Sequence, residues 1–214
     1  SPALEKKNRI PILKYQKALI GKKFYLIPKR YKNLKNRIKE KVDIILINFG
    51  YLDSKHFTLK VLELLNMSNY KQNVIVLIGK NQDLKKKILR KNYSFKMKIY
   101  SGLNDLVNIY KKVDLSIGAG GVGMLERFLY GIPSITIMNS KDQHYAVLNA
   151  KRKQATVVLR YSREKIFQNI FQKTLGSLLS NVKKRKILSK NAYRYLDTHG
   201  SCRVANYLLN KLNK

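Results

Sequence analysis

The residues with the most chemical potential in this chain fall in one stretch, Gly118-Ala119-Gly120-Gly121-Val122-Gly123, with Glu126 close behind. Glycines let backbone N–H groups approach a ligand with no side chain in the way. The residues after them read as a helix, and the first N–H groups of a helix are unsatisfied and carry the positive end of its dipole. A diphosphate is the kind of group that such a turn holds. An ordinary tight turn between a strand and a helix has the same composition, because a glycine cluster is a weak signal by itself. The Glu126 carboxylate could accept hydrogen bonds from both hydroxyls of a ribose, or simply be an acidic residue near a helix start. His144, beside Asp142 and Gln143, is placed either to touch a ligand or to open a helix toward solvent.

Other chemistries lack their residues. His56, His144 and His199 are dispersed, and Cys202 is the single cysteine, so no metal ion, other cofactor or internal disulfide is expected. There is no nucleophile elbow and no P-loop. The cysteine usage fits a reducing, cytoplasmic compartment. No apolar run is long enough to span a bilayer, and the first residues lack the apolar core of a signal peptide.

The elements that position the glycine stretch follow from periodicity. Strands are expected at 42–49 (VDIILINF), 73–79 (NVIVLIG), 95–100, 113–118 (VDLSIG), 133–138 (PSITIM) and 155–159. Helical patterns fill 57–66, 82–91, 103–112, 122–130 and 143–151, with Gly131 placed to end the fourth. From 162 onward the pattern is helical, with breaks near Asn181 and Gly200. Strands apolar throughout and separated by helices predict an α/β fold: a Rossmann-like parallel sheet with helices on both faces and a helical C-terminal tail. In such sheets, ligands bind at the carboxyl ends of the strands, where the 118–123 stretch lies. Residues 1–40 are basic and proline-containing and read as a connector or remnant of a preceding domain, leaving 41–214 as the Rossmann-like domain.

Composition agrees with a folded core: 44% of the 214 residues are hydrophobic. The formal net charge of +33 comes from 45 Lys+Arg against 12 Asp+Glu. Lysine predominates and is spread along the chain, and runs such as Lys85-Lys86-Lys87 and Lys183-Lys184-Arg185-Lys186 fall where helices would show a wet face. That distribution argues against nucleic acid, whose recognition favours clustered arginine. The charge keeps open a further reading, a basic binder of anionic surfaces, whose partner would be a phosphorylated ligand, an anionic membrane face met peripherally or, less favoured, nucleic acid.

The run IGAGGVGMLERFLYGIPSITIMNSKDQ at 117–143 resembles the C-terminal domain of GT-B nucleotide-sugar enzymes. It is most similar to the UDP-sugar hydrolase of the pseudaminic acid pathway and the SpsG-like spore-coat polysaccharide proteins. Glu126-Arg127, Gly131, Pro133-Ser134 and Gln143 fall in place without a gap. LIGKKFYLIPKR at 19–30, INFGYLD at 47–53 and LDTHGSCRVANYL at 196–208 look like further segments of that family. The resemblance implies two Rossmann-like domains with a nucleotide sugar held in the cleft between them. It implies uracil at the loop of Tyr100, Ser101 and Gly102, ribose on Glu126, and diphosphate on Gly118, Ala119, Gly120, Gly121, Val122 and Gly123. It places Gly50, Asp53, Asn139, Asp142 and Gln143 on the sugar side, with Asp142 and His144 the only catalytic candidates in the chain. The family's catalytic histidine lies in an N-terminal domain with no counterpart here, which implies a separate N-terminal half or a homodimer as partner. Val122, Gly123 and Met124 stand where the family has hydroxyl residues, Tyr51-Leu52 where it has Gly-Ser, and Asp142 where it has Asn. The functions implied are hydrolysis or glycosyl transfer on a UDP-linked amino or deoxy sugar, with a non-catalytic binding or assembly domain as the alternative.

Overall fold

A computed structural model describes residues 19, 21–27, 37–53, 55–103, 105–138 and 143–212. Six strands form its sheet: β1 (Ile44–Asn48), β2 (Asn73–Ile78), β3 (Lys96–Ser101), β4 (Leu115–Ala119), β5 (Ser134–Met138) and β6 (Val157–Arg160). Their order is β3-β2-β1-β4-β5-β6, and every neighbouring pair is parallel. The chain therefore winds outward from β1 in one direction, then returns to β4 and winds outward in the other. The carboxyl ends of β1 and β4 lie side by side at this switch, with Asn48 opposite Gly118. A crevice opens there because the connections leaving the two strands turn to opposite faces.

The strands are β-branched and apolar because both faces are covered. Ile45 and Ile47 of β1 point to one face, where α1 (Phe57–Met67), α2 (Gln82–Leu89) and α6 (Glu164–Ser180) supply Leu62, Ile88 and Phe171. Leu46 points to the other face, toward α3 (Val107–Tyr110), α4 (Val122–Leu129) and α5 (His144–Arg152), which supply Tyr110, Phe128 and Val147. This alternation is the period-2 geometry of a strand. α7 (Val182–Tyr195) contributes Leu188 to the first core and Ala192 to the second. The expected α/β architecture with a helical tail is the one observed.

α4 ends as its sequence predicts. Gly131 takes φ +60, its N–H donates to the Phe128 carbonyl, and the Ile132 N–H donates to the Arg127 carbonyl at 3.0 Å. This double bond pattern needs a left-handed residue after the helix, the conformation glycine adopts without cost. Pro133 then leads into β5.

Two details differ from the sequence reading. The helix expected over 103–112 is one turn, Val107–Tyr110, because Gly102 leaves β3 with φ +65 and the Asp105 carboxylate accepts from the Val107 N–H, starting the helix there. The run 183–186 is not wholly a solvated face. Arg185 is 1% exposed, and its guanidinium donates to the carbonyls of Leu178, Leu179, Lys39 and Glu40. It thus satisfies the free carbonyls at the end of α6, as a cation there should. The described residues 22–25 are docked onto the domain. A short turn at Lys22–Phe24 packs on α8 (Gly200–Leu212), Arg203 donates to the Lys23 carbonyl at 2.9 Å, and a Cβ on Gly200 would meet the Tyr25 carbonyl oxygen at 2.1 Å. Gly200, read as a helix break, is required by that close approach. Residues 1–18, 20 and 28–36 lie outside the described residues.

Candidate functional site

The crevice between β1 and β4 is a cavity of about 420 Å³. Its floor is Asn48, Phe49 and Gly50 after β1, with Gly79 and Lys80 after β2. One wall carries Tyr100, Gly102, Leu103 and Leu106; the other carries Ala119, Gly121, Val122, Gly123, Glu126 and Arg127 of the β4–α4 unit, with Gln143 above. Two local devices shape it. The Asn48 side chain accepts from the Gly50 N–H at 2.9 Å, and Gly50 turns the chain with φ +88. Tyr51 then lies so close to β2 that a Cβ on Gly79 would meet its carbonyl oxygen at 2.2 Å.

The N-terminus of α4 opens into this cavity. Three helices have side-chain acceptors there: Asp53 takes the Phe57 and Thr58 N–H groups of α1, Asn81 the Leu84 N–H of α2, and Asn181 the Lys184 N–H of α7; α5 and α6 have no side-chain cap, and neither of those starts carries a glycine turn. α4 has none, since its N-cap residue is Gly121 and no side chain bonds its first turn. Unsatisfied N–H groups with an aligned dipole make an anion site. Gln143 occupies one nearby donor, accepting from the Gly120 N–H at 3.1 Å.

The glycines of the turn divide into two kinds. A Cβ on Gly118 would lie 2.1 Å from the Asn48 carbonyl oxygen and 2.9 Å from Nη1 of Arg127. A Cβ on Gly120 would lie 2.0 Å from Cγ2 of Val147. These two are packing glycines that seat β4 against β1 and α5, and neither is among the residues lining the cavity. Gly121 and Gly123 have nothing nearer than 3.5 Å and border the cavity.

Glu126 and Arg127 are adjacent in sequence but opposite in setting. Glu126 is half-buried on the cavity wall, and its Oε2 accepts from the Tyr110 hydroxyl at 2.8 Å. Tyr110 is itself buried against Tyr130, ring centroids 5.1 Å apart, so the carboxylate is held from behind. Arg127 is fully buried beneath the turn, where Nη2 donates to the Ala119 carbonyl at 2.9 Å. Burial pushes its pKa down to about 10, still charged at neutral pH, with Tyr110 and Glu126 opposing that shift.

Residues 50–198 match the glycosyltransferase family 28 C-terminal domain. The chain belongs to that family. The chain is also 30% identical over 130 residues to "Uncharacterized protein MJ1062" of Methanocaldococcus jannaschii, an alignment covering 58% of this chain and 26% of that protein. The family 28 domain also superposes on larger solved structures, of which it spans about half. These include Acinetobacter baumannii MurG (TM-score 0.66, 15% identity, 80% of this chain and 51% of that one). They also include a rhamnosyltransferase, SpnG, complexed with thymidine diphosphate (TM-score 0.57, 14% identity, 87% and 48%). S. aureus MnaA with UDP matches likewise (TM-score 0.57, 14% identity, 86% and 48%). At these identities the likeness is one of fold.

Within the family 28 domain, the structure brings together Gly50, Tyr100, Gly102, Ala119, Gly121, Val122, Gly123, Glu126 and Gln143 around one cavity. It does not bring Asp53, Ser101 or His144 there. Both Asp53 oxygens are bound to the first N–H groups of α1, and the Ser101 hydroxyl donates to the Gly79 carbonyl. His144 is exposed at the start of α5, with Nδ1 3.1 Å from the Met138 sulfur. Asn139 and Asp142 lie outside the described residues. Among the described residues no cluster of His, Cys, Asp or Glu could hold a metal ion, and no helix is long and apolar enough to cross a membrane. Sequence reasoning missed Asn48, Lys80, Tyr110 and the burial of Arg127. Asn48 and Lys80 were discoverable as polar residues at or just past the carboxyl ends of predicted strands.

A larger cleft, about 1170 Å³, opens at the opposite end of the sheet, lined by Arg37, Lys111, Lys112, Lys190 and Arg194 among others. It is basic, but it lies at the amino ends of the strands and holds no glycine turn. Size alone does not outweigh an uncapped helix start and a fixed carboxylate at the switch point.

Proposed function

We propose that this domain binds the nucleoside diphosphate part of a sugar nucleotide in the β1/β4 cavity, as the donor-binding half of a glycosyltransferase or sugar-nucleotide hydrolase. The observation that carries the reading is the uncapped N-terminus of α4, facing the same cavity as the Glu126 carboxylate four residues into that helix. The helix start takes the diphosphate and Glu126 takes the ribose hydroxyls, its second oxygen oriented by Tyr110. The base lies toward Tyr100, Gly102 and Leu103, with uracil favoured by the resemblance of the 117–143 run to UDP-sugar enzymes. A UDP-linked amino or deoxy sugar is the substrate class this supports.

In either reaction the diphosphate is the leaving group, and negative charge grows on its terminal oxygen as the bond to the anomeric carbon breaks. Helix N–H groups already aimed at that oxygen stabilise the transition state without reorganising. The group that activates water or the acceptor would come from a second domain or chain facing the cavity. Exposed Tyr51 and Val122 on the cavity lining, with exposed Leu52 next to Tyr51 in the chain, are the surface for it. A binding module without turnover is the second reading, favoured by Val122, which puts an exposed apolar side chain at the first position of α4.

Calorimetry with UDP, thymidine diphosphate and uridine tests the proposal. Binding of UDP in preference to uridine, weakened by Glu126→Gln, supports it. Absence of heat with either diphosphate refutes it.

A further inference from the structure

Two arginines are fully buried among the described residues, and they are treated differently. Arg185 has four carbonyl acceptors. Arg127, 0% exposed, has one, the Ala119 carbonyl; its Nε and Nη1 have no hydrogen-bond partner among the described residues. No carboxylate forms an ion pair with it among those residues, and the neighbouring Glu126 is turned to Tyr110. A buried cation with so few partners is costly, and proteins rarely keep one without use. Its position is informative. Nη1 lies 2.9 Å from where a Cβ of Gly118 would be and 3.6 Å from that of Gly123. It therefore sits directly behind the glycine turn and the first turn of α4, on the wall of the cavity.

We propose that Arg127 is the built-in countercharge for the anionic group bound at the start of α4. It acts through the turn, as a positioning residue that does not touch the ligand. Two features support each other here: the uncapped helix start needs an anion in front, and the unpartnered guanidinium needs one within reach. The ligand class is a diphosphate or a similar multiply charged phosphate group, and the inference rests on the nucleotide reading above. Low local dielectric makes such a charge effective even without contact. By holding the Ala119 carbonyl, Arg127 also fixes the peptide that leads into Gly120.

The test compares wild type, Arg127→Met and Arg127→Lys, with uridine, UDP and inorganic pyrophosphate as probes, after circular dichroism confirms folding. The wild type should bind pyrophosphate, and UDP more tightly than uridine. Arg127→Met should leave uridine binding unchanged while UDP and pyrophosphate affinity fall about tenfold to hundredfold, the range for a lost charge-assisted interaction. Arg127→Lys, which keeps the charge, should recover part of that loss. A merely structural arginine would change thermal stability and weaken all three probes alike, or none; either outcome overturns the proposal. If Arg127→Met does not fold, Arg127→Lys decides: a folded protein that binds uridine but no pyrophosphate overturns it. Pyrophosphate binding that depends on Arg127, with no preference for UDP, would sink the nucleotide reading and leave this one standing. UDP binding indifferent to Arg127 would do the reverse, and a wild type that binds neither sinks both.

Discussion

Adding one methyl group at two glycines of the same turn should have opposite consequences. Gly118→Ala puts a Cβ 2.1 Å from the Asn48 carbonyl oxygen, which is backbone of the neighbouring strand, and 2.9 Å from the Arg127 guanidinium. Neither can move freely: β1 and β4 are paired through this register, and Arg127 is packed on all sides. Overpacking of this kind costs about 1–3 kcal/mol. For a domain of this size that is a fall in Tm of roughly 2–12 °C, at about 2–4 °C per kcal/mol. Gly121→Ala meets nothing nearer than 3.5 Å, and Gly121 has φ −82, which alanine adopts readily. Stability should hold or rise by about 0.4–1 kcal/mol, as for other compatible Gly→Ala changes. Its methyl group, however, borders the cavity where the diphosphate is placed, so UDP affinity should drop about tenfold if one charged hydrogen bond is lost. Thermal melts and calorimetry on the two variants measure both effects. The division of the turn is wrong if Gly118→Ala melts with the wild type, or if Gly121→Ala binds UDP unimpaired.

Other outcomes follow from the same structure. Glu126→Gln should weaken uridine and UDP together by about tenfold or more, and Tyr110→Phe, which removes only the neutral donor behind the carboxylate, by less than about tenfold, both read by calorimetry. Thr156 joins Ser134 and Thr136 in a buried hydroxyl cluster between β5 and the start of β6, with oxygens 2.8–3.0 Å apart. Thr156→Val should therefore cost about 1–3 kcal/mol in denaturant unfolding, the penalty for leaving buried polar groups unmatched. The Tyr93 hydroxyl is buried without a hydrogen-bond partner among the described residues, and burial, aided by Glu63, raises its pKa from 10 to about 12. A raised folded pKa means that its contribution is intact below pH 10 and lost as pH climbs toward 12, because only the unfolded chain ionises easily there. Tyr93→Phe should match the wild type near pH 7 and lose less stability between pH 10 and 12 in pH-stepped melts.

Periodicity carried much of the fold. Runs such as NVIVLI had to be buried on both faces, and the Gly131-Ile132-Pro133 step had to end a helix. Strand order was beyond it, because nothing in the 44–48 or 115–119 segments says that they pair with each other. Helix length failed where local chemistry overrode pattern, at Asp105, whose carboxylate starts α3 late. The glycine stretch was legible in the sequence, but the way its glycines divide was not. Four glycines looked alike in sequence, yet Gly118 and Gly120 answer to Asn48 and Val147, which are distant in the chain. The same limit applied to the arginines. Arg127 and Arg185 sit in polar-looking stretches, and only packing shows that both are buried and only one is satisfied.

The most direct test of the central claim is a titration of the 15N-labelled domain with UDP, followed by backbone amide resonances. The account predicts that the largest shifts fall on Gly121, Val122 and Gly123, with smaller ones at Gly102 and Leu103 and none at Lys111, Lys112 or Lys190. Shifts confined to the basic cleft at the amino ends of the strands, or no shifts at saturating UDP, would contradict it.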